Sequence, residues 1–216
     1  MELSGVRPDQ ITYNTLIASF SKSGNFKTVH QLMTKMTEQG LVPTAVTFGA
    51  VIHGYCKAGK LNKALEIFRR MGSTSKVPPN TVIYNILIDS LCKEKKIKDA
   101  VALMDDMKIE GVLPNVITYN AIFRGLQEEK WLDKAYKLMD EMNEQACNPD
   151  YVTMEILTEW LSAVGETARL KSFVKGCEAT VSFLVPLELT GALDWISSSV
   201  AADVLFSLSF EVPLES

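Results

Sequence analysis

The chain has 216 residues, of which 47% are hydrophobic and 22% charged, a composition typical of a folded globular protein and not of a disordered one. Its formal net charge of −4 argues against a nucleic-acid-binding protein when the chain is taken as a whole. The charge is uneven, however, because residues 1–177 contain 22 basic and 20 acidic residues, whereas residues 178–216 contain six acidic residues and no basic one. No apolar run reaches the roughly 18 residues that span a bilayer, and no secretory or transit sequence is visible at the amino terminus.

A repeat of thirty-five residues, thirty-six in its second copy, organises the chain. Residues 1–9 match the end of such a repeat, which predicts that the chain is the carboxyl-terminal part of a longer array. The units that follow are four full repeats, a degenerate terminal repeat and an acidic, apolar tail without the pattern: 10–44, 45–80, 81–115, 116–150, 151–177 and 178–216. Repeats of this length each form one supersecondary unit and bury their apolar faces by stacking.

Each full repeat predicts two helices joined by a short turn. An aliphatic residue stands at the second place, an aromatic residue at the fourth, a methionine at the twenty-seventh and a proline near the end. Apolar residues at helical spacing place the first helices at about 11–22, 46–57, 82–93 and 117–128, and the second at about 26–39, 61–72, 97–110 and 132–145. The predicted fold is therefore an all-α solenoid, a right-handed superhelix whose first helices line the concave side.

The polar residues do not indicate an enzyme. Cys56 and Cys92 occupy the same place in successive repeats and are expected to be small packing residues. Together with His53 they could form a zinc site, but no fourth ligand is evident. Phosphate-binding loops, nucleophile elbows and metalloprotease motifs are absent from the sequence. We therefore expect no catalytic activity, no cofactor and no small-molecule substrate.

Three stretches resemble the pentatricopeptide repeat family: Ile-Thr-Tyr-Asn-Ala-Ile-Phe at 117–123, Gly-Tyr-Cys-Lys-Ala-Gly-Lys-Leu at 54–61 and Gly-Val-Leu-Pro-Asn at 111–115. The resemblance covers about residues 1–177, and the uniform repeat length resembles the P-type subclass. The tetratricopeptide repeat has about thirty-four residues and a Trp-Leu-Gly-Tyr pattern that is missing here. The resemblance implies single-stranded RNA binding in plant mitochondria or plastids, for transcript processing, stabilisation, splicing or translation, alongside other organellar RNA-processing proteins and without a membrane partner.

The resemblance further implies that each repeat selects one base through its fifth and last residues. These pairs are Asn14 with Thr44, Gly49 with Asn80, Asn85 with Asn115, and Asn120 with Asp150. In that order they are similar to pairs that prefer a pyrimidine, adenine, a pyrimidine leaning to cytosine, and uracil. The alternative is that these asparagines and the aspartate are ordinary helix caps and turn residues.

Two further sets of residues complete the expected interface. The resemblance implies that the second-place residues wedge between successive bases: Ile11, Val46, Val82, Ile117 and Val152. Packing between repeats is the alternative role for these side chains. Lys22, Lys57 and Lys93 recur at the thirteenth place, where they would neutralise phosphates or, alternatively, form a solvated face. Glu128 interrupts this basic row in the fourth repeat.

Two functions other than RNA binding fit the same pattern. A stack of helical repeats also serves as a protein–protein interaction solenoid. The third alternative, after RNA binding and protein interaction, is a non-functional fragment of a longer RNA-binding protein, since the first residues of the chain lie inside a repeat.

Overall fold

The computed structural model describes residues 7–181, with side chains to residue 174, and the tail expected at 178–216 lies almost wholly outside them. All the regular elements of the described range are α-helices, and each predicted helix is present with ends within one residue of the prediction. The helices are α1 (Gln10–Lys22), α2 (Phe26–Glu38), α3 (Ala45–Lys57), α4 (Leu61–Ser73), α5 (Thr81–Lys93), α6 (Ile97–Ile109), α7 (Val116–Glu128), α8 (Leu132–Glu144), α9 (Tyr151–Ala163) and α10 (Thr167–Val181). The predicted all-α solenoid fold is confirmed.

Local sequence signals explain where these helices begin and end. The carboxylate of Asp9 accepts a hydrogen bond from the backbone N–H of Thr12 at 2.8 Å, which caps α1. Gly40 and Gly111 follow α2 and α6 with φ of 78° and 75°, a left-handed conformation that favours glycine after a helix. The chain therefore turns at the places where caps and glycines stand in the sequence.

The methionine and aromatic residues that recur in each repeat form the core. The four methionines at the twenty-seventh place are completely buried: Met36, Met71, Met107 and Met142. The fourth-place aromatic residues are also buried. Tyr84 of this set contacts a second helix, and so does Tyr55, which stands at the eleventh place of its repeat. The rings of Phe26 and Tyr55 stack with centroids 3.9 Å apart, and Phe68 meets Tyr84 edge-on at 5.3 Å. Each core layer thus joins one repeat to the next, as a stacked repeat requires.

The described part of the chain divides into two compact units, the first ending at Met139 and the second beginning at Asp140. In the first unit α1, α3, α5 and α7 pack in succession, while α2, α4 and α6 each pack beside the preceding first helix. In the second unit α9 packs against α10, and the Arg169 guanidinium donates to the Asp140 carboxylate at 2.6 Å. None of the described helices is long and apolar enough to cross a membrane.

The first helices approach one another closely at one recurring point. An added Cβ at Gly54 would lie 2.6 Å from Cβ and 2.8 Å from the backbone oxygen of Ser21 on the preceding first helix. The equivalent Gly125 lies against Cys92, whose Sγ would be 3.0 Å from an added Cβ. Small residues therefore set the spacing between α1 and α3 and between α5 and α7.

We expect Cys92 to be unreactive toward alkylating reagents at about pH 8 while the chain is folded. Burial, reinforced by the nearby carboxylates of Asp89 and Glu128, raises the pKa of the Cys92 thiol from 9.0 to about 12, and the thiolate is the reacting form. Mass spectrometry after iodoacetamide treatment, with and without denaturant, measures this protection. Equal labelling in both conditions would contradict the buried position.

The same pKa shift makes stability depend on pH. The folded chain disfavours the Cys92 thiolate, so this contribution to stability is present below pH 9.0, where the unfolded thiol is neutral, and is lost between there and about 12.

Candidate nucleic-acid interface

A row of exposed aliphatic side chains runs along the first helices of the first unit. Ile11, Val46, Val82 and Ile117 lie on the opening turns of α1, α3, α5 and α7, with exposed fractions of 73%, 65%, 64% and 62%. Aliphatic residues that pack between repeats would be buried, so the structure does not support that alternative for these four. Val152, at the same place of α9 in the second unit, is half-buried. A surface row of branched aliphatic side chains on stacked helices marks a candidate binding site.

Basic side chains lie on the same face of these helices. In a helix, the ninth place lies about two turns and the thirteenth place about three turns after the second place, so the three places share one face. Lys22, Lys57 and Lys93, at the thirteenth place, are all exposed. Lys93 donates to the Asp89 carboxylate at 2.6 Å, which makes it less available to a phosphate than the other two.

A fourth basic group was missed by the sequence analysis. Arg124 is exposed at the ninth place of α7, one turn before Glu128 and on the same face. Glu128 occupies the thirteenth place of the fourth repeat as an exposed acidic residue, and Arg124 provides a basic group one turn earlier on the same face. The spacing of four residues between Arg124 and Glu128 was the signal in the sequence that could have found it.

The fifth-place asparagines are not helix caps, because they lie inside the helices. Asn14 is half-buried, and Asn85 and Asn120 are only 9% and 6% exposed. The amide oxygen of Asn14 accepts a hydrogen bond from the Thr47 hydroxyl at 2.7 Å, and that of Asn85 accepts one from the Thr118 hydroxyl at 2.6 Å. Each of these two threonines stands at the third place of the following repeat.

The last-place residues, in contrast, do cap the next helix. Backbone N–H groups of the first turn donate to Asn80 at 3.1 Å, to Asn115 at 3.2 Å and to Asp150 at 2.9 Å. The capping interpretation is thus correct for these three, and Thr44 occupies the same N-cap position before α3. Capping does not remove them from the surface, since Asn80, Asn115 and Asp150 remain exposed.

The structure brings the two predicted reader residues of the third repeat together. The Asn85 amide nitrogen donates to the Asn115 amide oxygen at 3.1 Å, although the two residues are 30 positions apart. In the second repeat, Gly49 lies beside Ile83, and Asn80 accepts from the Ile83 backbone N–H. Asn120 belongs to the first compact unit and Asp150 to the second. Their predicted pairing therefore stays a prediction.

The third-place threonines were the other group missed from the sequence. Thr47 and Thr118 are fully buried, and each hydroxyl makes two kinds of hydrogen bond. It donates to the fifth-place asparagine of the preceding repeat and accepts from the backbone N–H of the N-cap residue. Threonine recurs at this place as Thr12, Thr47, Thr118 and Thr153, and the one exception among the five repeats is Ile83. Ile83 begins the repeat that follows the one with glycine, Gly49, at its fifth place. This pairing of two exceptions at one junction is visible in the sequence.

The hypothetical zinc site gains no support from the structure. Across the described side chains, no group of three or more histidine, cysteine, aspartate or glutamate residues could hold a metal ion. His53 is exposed, whereas Cys92 is buried and contacts Gly125.

Comparison with known protein families gives matches over most of the repeats. The model of the PPR repeat family matches residues 8–56, 79–128 and 114–162, and a single PPR repeat model matches residues 46–73. A pentatricopeptide repeat-containing protein of Arabidopsis thaliana is 38% identical over 114 residues, which are 52% of this chain and 20% of that protein. A chloroplastic pentatricopeptide repeat-containing protein of Arabidopsis thaliana is 26% identical over 105 residues, which are 49% of this chain and 14% of that protein. A mitochondrial one from the same organism is 30% identical over 111 residues, which are 51% of this chain and 13% of that protein. The matched region thus spans a fifth or less of these relatives.

Solved structures show the same fold. The pentatricopeptide repeat protein PPR10 from maize superposes with a TM-score of 0.66 at 20% identity, over 84% of this chain and 26% of that one. PPR10 in complex with an 18-nt psaJ RNA element gives 0.64 at 21% identity, with the same coverage. The PPR domain of Arabidopsis thaliana protein-only RNase P 1 in complex with tRNA gives 0.63 at 15% identity, over 89% of this chain and 94% of that domain.

Proposed function

Because the chain belongs to the pentatricopeptide repeat family, we propose that it binds single-stranded RNA along the face formed by α1, α3, α5 and α7, one base per repeat. The observation that carries the proposal is the row of exposed aliphatic residues beside a row of exposed basic residues on that face. Aliphatic side chains can wedge between bases, and lysine and arginine neutralise phosphates. The RNA-bound neighbours PPR10 and the protein-only RNase P 1 domain support the same choice of partner.

The proposed role lies in an organelle, because two of the relatives are named as chloroplastic and mitochondrial proteins. There the chain would hold a transcript for processing, stabilisation, splicing or translation, and other RNA-processing proteins could share that transcript. The chain's own residues supply binding and not catalysis in this proposal.

Base selection follows from what the reader residues present. In the third repeat the Asn85 amide oxygen is occupied by Thr118, and the Asn115 amide oxygen by Asn85 and a backbone N–H. In the described part of the chain no hydrogen bond uses the Asn115 amide nitrogen, so this repeat mainly offers donors. On their pairing edges both pyrimidines present two acceptors to such donors, whereas guanine presents one acceptor with two donor groups and adenine one acceptor with one donor group. The third base is therefore expected to be a pyrimidine.

Removing the basic row should weaken binding and flatten its salt dependence. Replacing Lys22, Lys57 and Lys93 together with alanine should lower the slope of log affinity against log salt by up to about 2, at about 0.7 per single-strand phosphate contact. The ion pair between Lys93 and Asp89 should make the contribution of Lys93 to this decrease in slope smaller than that of Lys22 or Lys57. Fluorescence anisotropy with a short single-stranded RNA over a series of salt concentrations measures the slope.

A triple variant of equal charge change provides the control. Lys27, Lys63 and Lys98 are exposed on the second helices α2, α4 and α6, and their replacement by alanine should change the slope little. If both triple variants lower the slope equally, the attraction is a general charge effect and the proposed face is wrong.

A further inference from the structure

We infer that the third-place residue of each repeat helps to select the base bound by the repeat before it, by fixing the amide of the fifth-place asparagine. This inference rests on the proposed RNA-binding function and extends it to residues that do not themselves contact the base. Thr47 and Thr118 are positioning residues in this sense. Ile83 is the residue that makes the second repeat different.

The geometry at Thr118 determines which end of the Asn85 amide faces which neighbour. The Thr118 hydroxyl accepts from the Asn115 backbone N–H at 3.1 Å. Of the two amide oxygens within reach of its single hydrogen, that of Asn85 at 2.6 Å is closer than that of Asn115 at 3.1 Å. The Asn85 amide nitrogen then points to the Asn115 amide oxygen at 3.1 Å. A flipped amide would place its nitrogen against the hydroxyl hydrogen and its oxygen against the Asn115 oxygen. The hydroxyl therefore sets the donor and acceptor pattern of both reader residues.

The junction between the first and second repeats has the same pair of hydrogen bonds at its third-place hydroxyl. The Thr47 hydroxyl accepts from the Thr44 backbone N–H at 3.0 Å and donates to the Asn14 amide oxygen at 2.7 Å. Thr47 is fully buried, so water does not compete for this hydroxyl. At two of the three successive junctions in the first compact unit, the third-place hydroxyl thus accepts from the N-cap backbone N–H and donates to the fifth-place asparagine.

The junction between the second and third repeats replaces this polar contact with an apolar one. Ile83 stands where threonine stands at the other two junctions, and it is almost completely buried. An added Cβ at Gly49 would lie 3.5 Å from Cγ1 and 3.9 Å from Cδ1 of Ile83, so there is room for a side chain but no hydroxyl to orient an amide. An asparagine placed at position 49 alone would meet this aliphatic group with its amide and lack the partner that Asn14 and Asn85 have.

The first experiment removes the hydroxyl at one junction. Thr118→Val keeps the shape of the side chain, and Thr118→Ser keeps the hydroxyl. With the full 216-residue chain, competition among four short single-stranded RNAs that differ only at the third-repeat base measures the ratio of affinities. We expect the parent chain and Thr118→Ser to prefer pyrimidines by about tenfold and Thr118→Val to show a ratio within about twofold of one, since one hydrogen bond is worth about that factor.

A purely structural role for Thr118 would give a different result. Thr118→Val would then lower thermal stability and affinity for all four RNAs alike, while the order and ratio of the four would stay as in the parent chain. That outcome, or a parent chain with no preference at this base, would overturn the inference. If the parent chain does not bind single-stranded RNA at all, the proposed function is wrong, and this inference, which depends on it, is wrong as well.

The second experiment builds the missing contact where the chain lacks it. Gly49→Asn, Ile83→Thr and the double variant are compared by the same competition at the second-repeat base, with circular dichroism as the check of folding. We expect Gly49→Asn alone to leave the ratio of pyrimidine to purine affinity within about twofold of the parent value, and the double variant to raise it by about tenfold. A single Gly49→Asn variant that matches the double variant would show that Ile83 has no part in base selection.

Discussion

Replacing Gly54 with alanine is expected to lower the free energy of unfolding by about 1–3 kcal/mol, the range typical of overpacked cores. The added methyl carbon would lie 2.8 Å from the backbone oxygen of Ser21, and a backbone atom cannot rotate away as a side chain can. Helices α1 and α3 would have to separate, which weakens the junction between the first two repeats. Urea unfolding followed by circular dichroism gives the difference in free energy.

Gly72→Ala provides a matched control on the same type of element. Gly72 lies in α4, and an added Cβ there has no neighbouring atom within 4 Å. Alanine should therefore raise the free energy of unfolding by about 0.5–1 kcal/mol through its higher helix propensity. Equal effects of the two substitutions would contradict the close approach of α1 and α3.

Replacing Val46 and Val82 with serine should weaken RNA binding without destabilising the fold. The two side chains are 65% and 64% exposed, so the free energy of unfolding should change by no more than about 0.5 kcal/mol at each site. Loss of contact with the bases should reduce the binding free energy by about 1 kcal/mol per base, the lower end of the range for aromatic stacking platforms. Anisotropy titration and urea unfolding of the same protein samples measure both quantities.

Ile52→Val, on α3, should show the opposite pattern. Ile52 is fully buried, and losing one methylene group should cost about 0.5–1.5 kcal/mol of stability while the affinity of the folded chain for RNA stays the same. If the serine variants lose stability in the same way as Ile52→Val and bind RNA normally, the second-place residues belong to the packing between repeats.

The repeat register made most of the fold predictable. Apolar residues at helical spacing, a fixed methionine and a proline at each repeat end place every helix of the four full repeats within one residue of its observed bounds. The register also placed Lys22, Lys57 and Lys93 on one face. Periodicity works here because each landmark has the same neighbours in every repeat, so one correct assignment serves for all four.

The role of the second-place aliphatic residues could not be decided from the sequence. A valine at the start of a helix is equally compatible with a core position and with a surface wedge, and only the spacing between neighbouring first helices distinguishes them. That spacing depends on contacts such as Ser21 with Gly54, which join residues 33 positions apart. The hydrogen bond between Asn85 and Thr118 was hidden for the same reason, since it joins two repeats.

The most direct test of the proposed function compares single-stranded RNA with a duplex of the same sequence. The full chain, labelled with ¹⁵N, is titrated with each at low salt while the side-chain amide signals of Asn14, Asn85 and Asn115 are followed. We expect these signals to shift with the single strand, with an affinity in the micromolar range or weaker that falls as salt is added, and to stay in place with the duplex. Signals that do not move with single-stranded RNA, or that move equally with the duplex, would contradict the account.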